Sequence, residues 1–120
     1  MQNKKILIVD DDAINRKLLS VTLKKIGYEV IEAENGVEAL TKITPEISLV
    51  LLDLKMPVMD GIQFMQALKN EKPECLNIPI LVLTTDDEKK EDARLAGAKE
   101  VLIKPISPIE LPDKIASYIK

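Results

Sequence analysis

Histidine and tryptophan are absent from this 120-residue chain, and cysteine occurs once. Without histidine there is no Ser–His–Asp relay, no imidazole acid–base catalyst and no histidine-ligated zinc or iron. The lone thiol, Cys75, makes neither an internal disulfide nor a thiolate metal cluster, and it fits a reducing cytoplasm. No apolar run is long enough to span a bilayer. Lys4-Lys5 is followed by only four apolar residues before three acids, so no signal peptide is expected. A net charge of −3 offers no basic surface for nucleic acid or anionic lipid. Aromatic residues make up only 2%, which leaves aliphatic side chains to build the core. The chemistry that remains belongs to carboxylates, lysine, threonine and a hard cation.

What the chain does have is a set of short apolar runs, each ending in a polar residue. Ile47-Ser-Leu-Val-Leu-Leu52 reads as a strand covered on both faces and leads straight into Asp53. Pro57 and Asp60-Gly61 then force a loop. Taken alone, Asp53 fits a turn cap as well as a functional acid. Lys5–Val9 is a second buried strand, ending in Asp10-Asp11-Asp12. Pro79–Leu83 reads as a further strand, ending in Thr84-Thr85-Asp86-Asp87, and the strand Glu100–Ile103 runs into Lys104-Pro105. Glu29–Ala33, with its mixed composition, reads as an edge strand.

Helical patterns fill the intervals. The first spans about Ala13–Ile26, with Asp12 as its N-cap rather than a ligand and Gly27 as its stop. Its wheel puts Ile14, Leu18, Leu19, Val21, Thr22, Leu23 and Ile26 on one broad arc, opposite Arg16, Lys17, Ser20 and Lys24. That predicts burial against both a sheet and a neighbouring helix. Val37–Thr44 is a short helix ended by Pro45. The third helix spans about Gly61–Asn70, with Ile62, Met65 and Leu68 facing inward, and residues 71–77 are a loop. A loosely packed helix is expected over Glu88–Ala96. Ser107-Pro-Ile-Glu110 reads as a capping box, and Pro112 should kink the last helix or delay its start. Met56, Met59 and Met65 read as packing and loop fillers.

Five strands alternating with five helices predict one α/β domain over residues 1–120, a doubly wound parallel sheet with right-handed crossovers. The ligand crevice of such a sheet lies beyond the strand carboxyl ends. Asp10, Asp11, Asp53, Thr84 and Lys104 all fall there. Three oxygen-only ligands with no His or Cys select a hard divalent ion, foremost Mg²⁺. A cation, an ammonium and a hydroxyl around a free carboxylate suit three phosphoryl oxygens, with the carboxylate as nucleophile.

The chain resembles a response-regulator receiver domain, the phosphoacceptor module of two-component signalling. The matching stretches are Ile6-Leu-Ile-Val-Asp-Asp11, Ala33-Glu-Asn-Gly-Val-Glu-Ala-Leu40, Leu51-Leu-Asp-Leu-Lys-Met-Pro-Val-Met-Asp-Gly61, Pro79-Ile-Leu-Val-Leu-Thr84, Ala96-Gly-Ala98 and Lys104-Pro105. They cover nearly the whole chain in order. The resemblance implies a flavodoxin-like sheet of order 2-1-3-4-5. It implies that Asp53 is the phosphoacceptor and that Asp11 ligates Mg²⁺ directly. Asp10 would act largely through water, and the Lys55 backbone carbonyl would be a further ligand. Thr84 would be the switch hydroxyl, Lys104 its phosphoryl partner, and Lys104-Pro105 a cis peptide. It implies phosphorelay signalling by a non-enzymatic cytoplasmic protein that assists its own phosphorylation and dephosphorylation. The donor would be a sensor histidine kinase, a His phosphotransfer protein or a small acyl phosphate, since this chain has no histidine. The active form would be a monomer or a phosphorylation-dependent dimer. A stand-alone receiver, or one cut from a longer regulator, is expected.

Three positions depart from the family pattern. The Thr84–Lys104 interval is two residues short, Val101 stands where an aromatic is common, and Ile106 stands where Phe is frequent. Lys55 and Asp86 are expected to meet over the phosphoryl group and shield it from water. Two rivals remain at this stage. One is a receiver fold used for docking without phosphorylation. The other is a metal-dependent phosphate-ester hydrolase, which the Leu-Lys-Met after Asp53 and the lack of a cap insertion disfavour.

Overall fold

A computed structural model describes residues 4–107 and 109–119. Five parallel strands, β1 (Lys5–Val9), β2 (Glu29–Ala33), β3 (Ile47–Asp53), β4 (Ile80–Thr84) and β5 (Glu100–Ile103), form one sheet in the order β2-β1-β3-β4-β5. The fold class is the one read from the sequence, and the strand order is the one the resemblance implies. The apolar runs of β1, β3 and β4 lie inside the sheet, and the mixed strand β2 lies at its edge. Interior parallel strands are covered on both faces, which is why their runs are continuous and not alternating.

The two faces hold separate cores. Leu7, Val9, Val50, Leu52 and Val82 pack beneath α2 (Gly36–Lys42), α3 (Gly61–Glu71) and α4 (Lys90–Ala96). Ile6, Ile8, Leu49, Leu51, Leu81 and Leu83 pack beneath α1 (Ala13–Ile26) and α5 (Glu110–Tyr118). Odd and even positions of one strand therefore serve opposite layers.

Helix α1 differs from the reading of its wheel. Only Ser20 and Leu23 are buried, while Ile14 is 75% and Leu18 63% exposed. The helix meets the sheet through a narrow stripe, Ser20 and Leu23. Ile14, Leu18, Val21 and Ile26 of the apolar arc are turned outwards, and Leu18, Leu19 and Thr22 border a groove against α5. In α3 the inward stripe is Phe64, Met65 and Leu68, with Ile62 only half-buried.

A 3₁₀ turn, Pro73–Cys75, lies within the 71–77 connection, and a second, Asp87–Lys89, precedes α4. The fourth helix is thus seven residues long, with Ala93 and Ala96 buried and Leu95 exposed. Helix α5 starts at Glu110, which puts Pro112 in its first turn, where a missing N–H costs no helical bond. Of the expected capping box, Ser107 Oγ accepts the N–H groups of Ile109 and Glu110; Pro108 lies outside the described residues. No helix among the described residues is long and apolar enough to cross a membrane.

Candidate functional site

Every strand except β2 delivers a polar side chain to the carboxyl rim of the sheet. Asp10 follows β1 and continues its ladder through N–H donation to the Ala33 carbonyl at 3.1 Å. It is only 3% exposed. Asp11, next in the chain, is exposed. Asp53 is the last residue of β3, Thr84 the last of β4, and Lys104 follows β5. Candidate ligand oxygens of Asp10, Asp11 and Asp53 all lie within 4.8 Å of one another. Lys104 Nζ reaches Asp53 Oδ2 at 3.4 Å, and the Lys55 N–H donates to Asp53 Oδ1 at 3.3 Å. The Lys104-Pro105 peptide is cis, and the Lys104 N–H donates to the Thr84 carbonyl at 2.8 Å.

Burial pushes the Asp53 carboxyl above the ordinary carboxylate range, and the negative charge of Asp10 pushes the same way. Lys104 and the Lys55 N–H oppose that shift without cancelling it. The charged form of Asp53 is therefore disfavoured, mainly by burial. Three carboxylates gathered at one rim, with oxygen as the only donor type, fit a hard divalent cation that keeps part of its water shell.

Asp12 accepts the N–H groups of Ile14 and Asn15, so it is the α1 cap and not part of the cluster. Thr84 is buried, and its Oγ accepts the Asp86 N–H at 3.1 Å. A cavity of about 480 Å³ opens over the rim, lined among others by Asp11, Lys55, Thr84, Asp86 and Lys89. Lys55 and Asp86 border the same opening, yet no ion pair joins them among the described residues. The Asp86 carboxylate instead caps the turn that follows it, accepting the Glu88 N–H at 3.0 Å.

Two residues that the sequence did not single out for the site touch it. Asn15 donates its side-chain amide to Asp10 Oδ2, and Arg16 donates to the Asp10 carbonyl oxygen. Their one sequence signal is position: both sit in the first turn of a helix that starts right after the acids.

The loop from β3 to α3 is shaped by close contacts. A Cβ on Gly61 would lie 2.6 Å from the Asp53 carbonyl oxygen, so only glycine lets α3 begin this close to the strand tip. Val58, 80% exposed, adopts φ 71°, a left-handed conformation that a β-branched residue rarely takes.

Residues 6–116 match the family model described as the response regulator receiver domain. The probable transcriptional regulator ycf27 of Porphyridium aerugineum is 40% identical across 100% of this chain, which covers 50% of that relative. The chain thus spans about half the length of that relative and of similar regulators it matches. The chemotaxis protein CheY1 of Helicobacter pylori is 34% identical, with 92% of this chain and 93% of the relative covered. The solved structure of chemotaxis protein CheY4 of Vibrio cholerae superposes with a TM-score of 0.89 at 36% identity, covering 98% of this chain and 100% of that one.

Proposed function

The chain belongs to the response regulator receiver domain family, and from that premise we propose that it accepts a phosphoryl group on Asp53 and relays a two-component signal. The observation that carries this reading is the gathering of Asp10, Asp11 and Asp53 within 4.8 Å, with Lys104 on the Asp53 carboxylate. The donor is a phosphohistidine on a sensor kinase or phosphotransfer protein, or a small acyl phosphate; this chain carries no histidine of its own.

Asp10, Asp11, Asp53 and the Lys55 carbonyl would hold Mg²⁺. When bound, that ion supplies positive charge beside the three acids and offsets charge on the phosphoryl oxygens. An Asp53 carboxylate oxygen attacks phosphorus in line. The bond from phosphorus to the donor's nitrogen or oxygen breaks, and the leaving group keeps the electron pair. Lys104 then turns its ammonium from the free carboxylate to a phosphoryl oxygen. The Thr84 hydroxyl, now an acceptor for the Asp86 N–H, donates its proton to another.

Signalling follows as a population shift, because these contacts exist only in the phosphorylated state. The responding face is that of α4, β5 and α5, where Leu95, Ile103 and Ile109 are exposed. Val101 is buried in β5 and is no aromatic, so the Thr84 movement is transmitted by aliphatic packing, not by a rotating ring.

Beryllofluoride with Mg²⁺ tests this reading by amide NMR. Shifts should spread from Asp53 to Thr84, Lys104 and the α4–β5–α5 face, and Asp53→Asn should abolish them. Unchanged spectra in the parent protein would favour a receiver fold that docks without phosphorylation.

A further inference from the structure

Asp10 is held more tightly than the proposed chemistry by itself requires. Its Oδ1 accepts the Asp12 N–H at 2.9 Å, and its Oδ2 accepts the Asn15 side-chain amide at 2.5 Å. Arg16 donates to its main-chain carbonyl oxygen at 2.7 Å while pairing with Glu32 at 3.0 Å. The N-cap and first turn of α1 thus grip this acid at both carboxylate oxygens and at the backbone.

Helix initiation does not explain the asparagine. Asp12 already caps α1 by accepting the Ile14 and Asn15 N–H groups, and Asn is a poorer helix former than Ala. The chemical type of the grip is informative too. The donor on the carboxylate is a neutral amide, whereas the nearby guanidinium of Arg16 is spent on a carbonyl and on Glu32. An amide fixes the plane of a carboxylate and leaves its full charge available. An arginine there would neutralise it.

We propose that Asn15 is a positioning residue for cation binding, holding the Asp10 carboxylate in the orientation that joins it to Asp11 and Asp53. The inference rests on the phosphoacceptor reading above. Carboxylates at metal sites are themselves hydrogen-bonded, and losing such a partner typically lowers metal affinity about 10- to 100-fold.

The test is calorimetric titration of Mg²⁺ into the unphosphorylated protein, with thermal melts in chelator as the structural control. Asn15→Ala and Asn15→Leu both remove the donor, and the second keeps most of the volume, so either one that folds suffices. Affinity should fall about 10- to 100-fold, with the metal-free Tm near that of the parent. Asn15→Gln, which retains a donor, should recover part of the loss. At saturating Mg²⁺ the donor-less variants should take up phosphoryl from acetyl phosphate at nearly the parent rate. Affinity within twofold of the parent, or a fall in metal-free Tm with affinity unchanged, would overturn the proposal. A parent protein that binds no Mg²⁺ would instead overturn the reading of the site itself.

Discussion

Neutralising Asp53 should stabilise this protein when no divalent cation is present. At an effective dielectric of about 20, two unit charges 4.8 Å apart repel by about 3.5 kcal/mol, and opposite charges 3.4 Å apart attract by about 5 kcal/mol. Asp53 faces such a repulsion from Asp10 and such an attraction from Lys104, the attraction being the larger. Burial of the carboxylate outweighs that attraction, so its charged form is disfavoured in the folded protein. Asp11 is exposed, so its charge is screened. The isosteric change Asp53→Asn should then raise stability by about 1–2 kcal/mol, or roughly 3–8 °C in Tm for a domain of this size. The pH dependence fixes the sign. The folded carboxyl pKa lies above the unfolded one, so Asp53 adds stability below the unfolded range, near pH 4, and loses it as pH rises through the folded value. The mutant's advantage should therefore be small in acid and grow towards neutral pH. Millimolar Mg²⁺ should raise the parent Tm more than that of Asp53→Asn and narrow the gap. Melts in chelator and in Mg²⁺, across pH, provide the assay. An Asp53→Asn protein that melts at or below the parent in chelator at pH 7 would refute the reasoning.

Three further perturbations bear on the loop and the cavity. Val58→Gly removes a left-handed strain of about 1–2 kcal/mol against a smaller unfolded-state entropy cost, so Tm should rise by a few degrees; an unchanged or lower Tm counts against strain at this position. Gly61→Ala drives a Cβ into the Asp53 carbonyl and should cost about 1–3 kcal/mol in denaturant unfolding while slowing phosphoryl uptake. Lys55→Ala opens the cavity mouth over Asp53 and should hasten hydrolysis of phospho-Asp53 several-fold; equal or slower loss would show that Lys55 does not shield it.

Much of this fold was legible because its signals are local. Continuous apolar runs mark β1, β3 and β4 as interior strands, and acids or hydroxyls at their ends mark the rim. The mixed residues of β2 place it at an edge. The orientation of α1 was not legible. A helical wheel reports how wide an apolar arc is, not which stripe meets the sheet, and the buried Ser20 looks polar in sequence. The role of Asn15 was hidden for a related reason: a polar residue in a first helical turn reads as solvated until the neighbouring strand end is in place. Lys55 and Asp86 border one opening without an ion pair in the unphosphorylated chain, where the Asp86 carboxylate takes the N–H two residues on, a turn that short acidic side chains favour.

Phosphoryl transfer itself gives the most direct test. Parent protein is incubated with acetyl phosphate and with a phosphohistidine donor, with and without Mg²⁺, and the modified residue is located by peptide mass spectrometry. One phosphoryl group on Asp53, formed only with Mg²⁺ and absent in Asp53→Asn, is the expected result. No uptake, or uptake on another residue with Asp53 unmodified, would contradict it.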